Sequence, residues 1–210
     1  IGEAVSECSR MPLRLLFLIA VPVSMIHQFY FVYTAGFLGK YQEQHESTVE
    51  AINSVFGVGG GGLMTIGQMA EILVLFLIPF VAAKWSRKSL LAVGLSAYAL
   101  RMFLFSQLAW LETTFGVPET VTLLVGIGLH GLCFGCFIFV AFMVVDEECG
   151  GDIKASAQNL FNLVIVGVGV VVGSLVAGYI GDYATGADGA VDYTTLFSIP
   201  MWAALVCLAV

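Results

Sequence analysis

The sequence contains six long apolar stretches, which constrain its fold more than any other feature. Five of them are 21 to 26 residues long, and a helix needs about 20 residues to cross the hydrocarbon core of a bilayer. Only 11% of the residues are charged, against about 25% in soluble domains. We therefore predict an all-α membrane protein in which one domain, residues 1–210, is a six-transmembrane-helix bundle with helices at Leu13–Leu38, Leu63–Ala83, Ser89–Leu111, Thr122–Val145, Ala155–Ile180 and Thr194–Val210.

Charge and motif content exclude several classes of function. The chain has 8 Lys and Arg against 15 Asp and Glu, so it offers no basic face to the phosphates of nucleic acid. The five cysteines show no disulfide framework. Metal-ligand spacings, a nucleophile elbow and a phosphate-binding loop are all absent from the sequence. We predict no enzyme activity, no metal, no cofactor and no nucleic-acid partner.

Lysine and arginine near the helix ends indicate the orientation, because these residues concentrate on the cytoplasmic side of a membrane. Lys40 alone lies on one side. Six lie on the other side, at Arg10, Arg14, Lys84, Arg87, Lys88 and Lys154. The chain start is predicted to be cytoplasmic, with outward loops around Gln42–Gly60, Glu112–Glu119 and Asp182–Asp192. We interpret Val58–Gly62 as a flexible lead into the second helix.

Glu71 lies near the middle of the second apolar stretch, where an ionised carboxylate costs at least about 2.5–3.5 kcal/mol on insertion scales. Thr65, Gln68 and Glu71 recur at intervals of three residues, which favours one helical face. We expect that face to look into a cavity for a polar solute, where Glu71 accepts hydrogen bonds or exchanges a proton. The alternative is a structural hydrogen bond from Glu71 to a neighbouring helix.

Two other stretches supply further candidates. In the first stretch, Gln28 and His27 are candidates for lining the cavity, whereas Tyr30 and Tyr33 are not expected to line it. In the fourth stretch, His130 and Phe134 are one turn apart. An imidazole and an aromatic ring on one face can clamp a planar ligand by stacking and hydrogen bonding. A histidine that only packs in the core is the alternative.

Two further features of the stretches are interpreted as structural. Arg101 in the third stretch can pair with an acid or a carbonyl, or extend to the membrane surface. Gly131 with Gly135, and Gly169 with Gly173, have the spacing of small residues that lets transmembrane helices approach closely.

Five segments, in this order and at these spacings, are similar to one known family: Met64–Glu71, Ile78–Phe80, Ala99–Arg101, His130–Phe134 and Lys154–Phe161. They resemble the carboxy-terminal half of the bacterial nucleoside:proton symporters of the major facilitator superfamily. The similarity covers most of the chain from the second helix onward.

The resemblance implies helices seven to twelve of a twelve-helix transporter in the bacterial cytoplasmic (inner) membrane, without the N-terminal six-helix half. The chain starts without a methionine and ends inside an apolar stretch, so we expect a fragment of a longer polypeptide. The implied function is nucleoside import by proton symport through alternating access, with solute bound between the halves. The family's nucleoside-binding positions fall on Gln28, Gln68, Glu71, His130 and Phe134, and Glu71 is the candidate for proton coupling.

The chain also departs from the family pattern. Family members have a tyrosine where His130 stands and an aspartate where Gly135 stands, so the coupling acid is either Glu71 or a residue of the missing half. One alternative function is a major facilitator carrier for another polar solute, such as a sugar. Another is a non-transporting membrane sensor or assembly module, which predicts that Gln28, Gln68 and Glu71 share no cavity.

Overall fold

The computed structural model describes residues 2–210. Within that range the regular secondary structure is helical, apart from one isolated β-bridge between Thr185 and Val191. Five helices, α2, α4, α5, α7 and α8, are long and apolar enough to cross a membrane, and α9 is a shorter apolar helix of 17 residues. The predicted all-α bundle is therefore confirmed. In chain order the helices are α1 Gly2–Cys8, α2 Leu13–Gln44, α3 Glu46–Phe56, α4 Gly61–Ala82, α5 Arg87–Ser106, α6 Leu108–Phe115, α7 Glu119–Glu148, α8 Lys154–Ala184 and α9 Tyr193–Ala209.

Side-chain caps fix the starts of two of these helices. The Ser86 hydroxyl accepts the backbone N–H of Ser89 at 3.0 Å before α5. The Asp192 carboxylate accepts the backbone N–H groups of Thr194 and Thr195 at 3.0 and 3.3 Å before α9. These bonds satisfy backbone donors that have no partner within the helix itself.

Two of the long helices contain a wider π-helical turn. In α7 it covers Cys133–Phe139, and in α8 it covers Leu163–Gly169. Such turns occur mostly as short interruptions of α-helices and often lie at functional sites. In α7 the π turn begins just after His130 and includes Phe134, so these two side chains do not follow the register of one regular α-helix.

The segment predicted as an outward loop around Gln42–Gly60 is mostly helical, because α3 occupies it. Its glycine-rich end is a bend held by hydrogen bonds to Gln42, and Gly61 and Gly62, predicted as part of a flexible lead, form the start of α4. The buried Gln42 amide donates to Asn53 Oδ1 at 2.7 Å and to the Gly57 carbonyl at 2.8 Å, and it accepts the Gly60 N–H at 2.7 Å. The sequence does not indicate these bonds, since they depend on where α2 ends.

The third apolar stretch is divided between two helices. The helix α5 ends at Ser106, and α6 begins at Leu108 and ends at Phe115. Gln107 leaves the α-helical conformation with φ −122°. The predicted loop around Glu112–Glu119 therefore begins inside a short helix.

The helix α5 packs along α9 and against α7. In contrast, α4 leaves large apolar side chains such as Ile72 and Phe76 exposed, which suits contact with lipid or with another helical unit. Segments predicted to be cytoplasmic meet at one end of the bundle. There Arg87 Nη2 lies 2.7 Å from Glu147 Oε1.

Candidate solute-binding site

Close contact between α4 and α7 positions the two central polar residues. A Cβ atom at Gly131 would lie 2.8 Å from the Glu71 backbone nitrogen and would also clash with the Ala70 carbonyl oxygen. On the facing helix, a Cβ at Gly67 would lie 3.1 Å from the His130 Cβ. Without side chains at these crossing points the two backbones touch, as the glycine spacing of α7 predicted. The crossing places Glu71 beside His130.

A second close contact, between α2 and α8, positions Gln28. A Cβ atom at Gly173 would lie 2.9 Å from the Met25 Cα and 3.1 Å from the Gln28 Cβ. The Gln28 amide nitrogen donates to the Ser174 hydroxyl at 3.0 Å. The tight packing predicted from Gly169 and Gly173 is thus present, and its partner is α2.

Three polar side chains from three helices form a continuous chain of contacts. Arg101 Nη1 lies 3.1 Å from His130 Nδ1, and His130 Nε2 lies 3.3 Å from Glu71 Oε2. Arg101 and His130 are buried, whereas 23% of the Glu71 side chain is exposed. One side of the carboxyl is therefore held by His130, and another side is free to meet a ligand.

The imidazole of His130 connects the charged guanidinium of Arg101 to the carboxyl of Glu71. A buried guanidinium stays protonated and needs an opposite charge or good hydrogen bonds to offset the loss of water. Within residues 2–210, the Nε and Nη2 atoms of Arg101 have no hydrogen-bond partner. The Nη1 contact to His130, and through it the carboxylate of Glu71, therefore carries most of the polar compensation for Arg101.

Aromatic rings surround Arg101 and His130. The guanidinium carbon of Arg101 lies 4.0 Å from the centre of the Tyr30 ring and 5.2 Å from that of Tyr98, which are cation–π distances. The His130 ring stacks on Tyr30 at 5.1 Å and on His27 at 5.3 Å. These contacts from α2 and α5 hold the imidazole plane in one orientation.

A more exposed aromatic surface adjoins His27. The His27 ring lies 6.2 Å from Phe134 and 5.2 Å from Phe31, between ring centres. Its Nδ1 atom is 2.7 Å from the Tyr98 hydroxyl. Phe134 is half-buried and Phe31 is exposed, so their rings can still accept a planar partner.

The predicted site residues do not all meet. His130 contacts Glu71, and Phe134 reaches this pair through His27, whereas Gln28 bonds to α8 instead. Gln68 is exposed and makes no side-chain hydrogen bond within residues 2–210. No side-chain hydrogen bond joins Gln28, Gln68 and Glu71 in that range.

The predicted polar face of α4 is not one face. Thr65 is exposed, and its hydroxyl donates back to the Gly62 carbonyl at 2.6 Å. Steps of three residues fall short of a full turn, so Thr65 and Glu71 are rotated by about 120° from each other. Only the Glu71 end of the series points toward α7.

Sequence reasoning missed part of the site. Arg101 was interpreted as structural, and the tyrosines of the first stretch were not expected to line the site, yet Tyr30 covers the guanidinium and stacks on His130. Tyr98 was not singled out. The available signal was the presence of opposite charges, Arg101 and Glu71, within two apolar stretches, because intramembrane charges usually face the bundle interior and pair.

Comparison with known proteins gives relatives of one kind. The chain is 31% identical over 140 residues to the xanthosine permease of Escherichia coli (strain K12), a match that covers 65% of this chain and 31% of that protein. It is 30% identical over 137 residues to the nucleoside permease NupG of the same organism, with the same coverage.

The fold matches crystal structures of the nucleoside transporter NupG, with TM-scores of 0.81 and 0.80 at 23% identity. Each match covers 99% of this chain and 49% of the solved chain, so the chain spans about half the length of that transporter. The carboxy-terminal half of a major facilitator fold accounts for this architecture, and the chain is an integral membrane protein. The family described as nucleoside H+ symporter matches residues 7–210, and the chain belongs to this family.

Proposed function

We propose that this chain is the carboxy-terminal half of a secondary transporter that imports nucleosides by proton symport through alternating access in the bacterial cytoplasmic (inner) membrane. Membership of the symporter family and the half-length match to a nucleoside transporter support this function. The missing N-terminal six-helix half would supply the other wall of the binding site. The observation that carries the proposal is the Glu71 carboxyl, which is held by His130 on one side and partly exposed on the other.

The chemistry of these side chains suits a nucleoside. A nucleoside presents ribose hydroxyls and a planar base with donors and acceptors. The free oxygen of Glu71 can accept hydrogen bonds from hydroxyl groups, and the amides of Gln28 and Gln68 can both donate and accept. Phe134, beside His27, offers a ring on which a base can stack. We assign solute binding to these residues together with His130.

The packing of α7 supports Glu71 as the proton-coupling group. At Gly135, where family members have an aspartate, a Cβ atom would lie 2.5 Å from Val74 Cγ1 of α4. The space that a carboxyl would need is therefore filled by a neighbouring helix. In this half, Glu71 is the acid in the middle of a span. A carboxyl that binds both the proton and the solute links the two binding events directly.

Uptake by proteoliposomes that contain the full-length protein tests the proposal. We expect labelled uridine or adenosine to accumulate when the outside is more acidic than the inside, and to equilibrate without accumulation when the gradient is absent. Unlabelled nucleoside should compete and unlabelled sugar should not. Uptake of neither nucleoside above the level of empty liposomes would contradict the function.

Substitution Glu71→Gln tests the coupling role. Glutamine has the shape of a protonated carboxyl but cannot release the proton, so gradient-driven accumulation should be lost while exchange between equal nucleoside pools continues. The matched control is Glu112→Gln, which changes an exposed acid outside the long spans and should keep accumulation. Gradient-driven accumulation by the Glu71→Gln protein would remove Glu71 from the coupling mechanism.

A further inference from the structure

The contact between Arg101 and His130 determines which ring nitrogen of His130 carries the proton. A guanidinium has N–H donors and no acceptor. His130 Nδ1, 3.1 Å from Arg101 Nη1, must therefore accept and carry no hydrogen. In the neutral ring the proton then lies on Nε2, 3.3 Å from Glu71 Oε2, where it is donated to the carboxylate.

Among residues 2–210, the Arg101 guanidinium has no hydrogen-bond partner other than His130. It is fully buried and lies over the Tyr30 ring at 4.0 Å, so the guanidinium cannot turn toward water. Within residues 2–210, the groups that face His130 from other helices are Arg101 of α5, Glu71 of α4, and the rings of His27, Tyr30 and Phe31 of α2. Cys133 lies one turn further along α7 itself.

We propose that Arg101 is a positioning residue of the nucleoside site, which holds His130 in the tautomer with its proton on Nε2 and so directs a fixed hydrogen-bond donor toward Glu71. This inference rests on the proposed function. Its consequence concerns specificity: a solute atom that takes the place of Glu71 at this nitrogen must be a hydrogen-bond acceptor, such as a base carbonyl. A tyrosine at the same position could donate or accept, whereas His130 beside Arg101 only donates.

The first test measures the tautomer directly. The full-length protein is labelled with 15N-histidine, and its imidazole nitrogens are observed by NMR without nucleoside. We expect His130 to show an unprotonated Nδ1 and a protonated Nε2. The chain contains an internal reference of the opposite kind, since His45 Nδ1 faces the Tyr41 carbonyl at 3.1 Å and must donate to it. Spectra of His130→Gln and His45→Gln assign the signals, and a protonated Nδ1 at His130 would overturn the proposal.

The second test uses two substitutions of Arg101. Lysine also has only donors, so Arg101→Lys should retain the tautomer and keep nucleoside KM within a few-fold. Arg101→Met removes the donor, so the proton should distribute over both nitrogens and KM should rise about tenfold, the effect of losing one good hydrogen bond. If Arg101 only fills space, the Met protein keeps the wild-type tautomer, which would contradict the proposal.

A double-mutant cycle separates positioning from packing. In a His130→Gln background no ring is left to orient, so Arg101→Met should change KM less than twofold beyond the single change. An additive tenfold loss would show that Arg101 acts without His130. If Arg101→Met does not fold, the wild-type spectrum and the Arg101→Lys protein decide the question. Because the spectra require no transport, a wild-type protein that fails to move nucleosides but shows the expected tautomer would refute the proposed function alone.

Discussion

Two histidine–glutamate pairs lie in different regions of the molecule. His130 and Glu71 join α7 to α4 inside the spans, and His45 and Glu119 lie at one end of the bundle, where α2 ends and α7 begins. The distances between the histidine Nε2 and glutamate Oε2 atoms are 3.3 and 3.9 Å. The His130 side chain is 3% exposed, whereas that of His45 is 39% exposed.

The difference shows how a neighbouring group selects the chemistry of the same residue pair. A guanidinium leaves His130 with its proton on Nε2, so a neutral ring already donates to Glu71. A carbonyl gives His45 its proton on Nδ1, so Nε2 carries a hydrogen toward Glu119 only when the ring takes up a second proton. The interior pair is therefore a hydrogen bond of a neutral ring that is protected from water, whereas the end pair is more exposed to solvent and is screened by salt.

The largest expected effect on stability comes from replacing the histidine of each pair by leucine. His130→Leu removes the hydrogen-bond partner of a buried guanidinium, so it should lower the free energy of unfolding by about 3 kcal/mol. His45→Leu, the matched control, should lower it by less than about 1 kcal/mol. Unfolding in mixed detergent micelles measures both values. If both variants lowered the free energy of unfolding equally, the buried pair would not be more stabilising than the exposed pair, which would contradict this comparison.

An acid at the start of α9, bonded to neutral donors, is expected to give an intermediate effect. Asp192→Ala removes the cap of α9 and should lower the free energy of unfolding by about 1 kcal/mol at neutral pH. The hydrogen bond from the Thr195 hydroxyl, helped by backbone N–H groups, lowers the pKa of Asp192. Since the folded pKa lies below the unfolded one, this stabilisation is complete above the unfolded pKa and disappears as the pH falls through the folded one.

The control for this substitution is Asp182→Ala. Asp182 is exposed and its side chain makes no hydrogen bond among residues 2–210. Its replacement should leave stability unchanged within about 0.5 kcal/mol. A difference between Asp192→Ala and wild type that persisted in strong acid would show that the cap does not act through the ionised carboxylate.

The smallest expected effect concerns the ion pair at the opposite end of the bundle. Arg87 holds the Glu147 carboxylate through Nε and Nη2, at 3.1 and 2.7 Å, yet Glu147 remains exposed. Glu147→Gln should therefore lower the free energy of unfolding by about 0.5 kcal/mol in low salt, and by nearly nothing in about 1 M NaCl. Unfolding in micelles at both salt concentrations checks this, and a salt-independent loss above about 2 kcal/mol would contradict the assignment as a surface pair.

The fold could be predicted because its signal is local. Span length and hydropathy belong to each apolar stretch alone, and the glycine spacings of α7 and α8 indicated where helices would touch. The turn around Gln42 could not be predicted, since three hydrogen bonds to one amide depend on how α3 folds back on α2.

The site was predicted in part for a related reason. Glu71 and His130 are recognisable as polar residues in apolar surroundings, whatever they contact. The partner of Arg101 is not recognisable, because an acid, a carbonyl and the membrane surface are all within reach of a long side chain. Only the crossing of α4 with α7 at Gly131 brings the Glu71–His130 pair together, and the rotation along α4 leaves Gln68 outside the contact.

The hydrogen bonds of the Gln42 amide bear on how the chain would move if it is the proposed transporter half. It joins the end of α2 to the turn before α4, so the helix that carries Gln28 and the helix that carries Glu71 are tied at the same end by a second link besides the chain. We expect these two helices to tilt as one rigid body when a six-helix half rocks. The separation of amide and carboxyl would then stay constant throughout the cycle, and changes in solute affinity would arise from the approach and withdrawal of the opposite half.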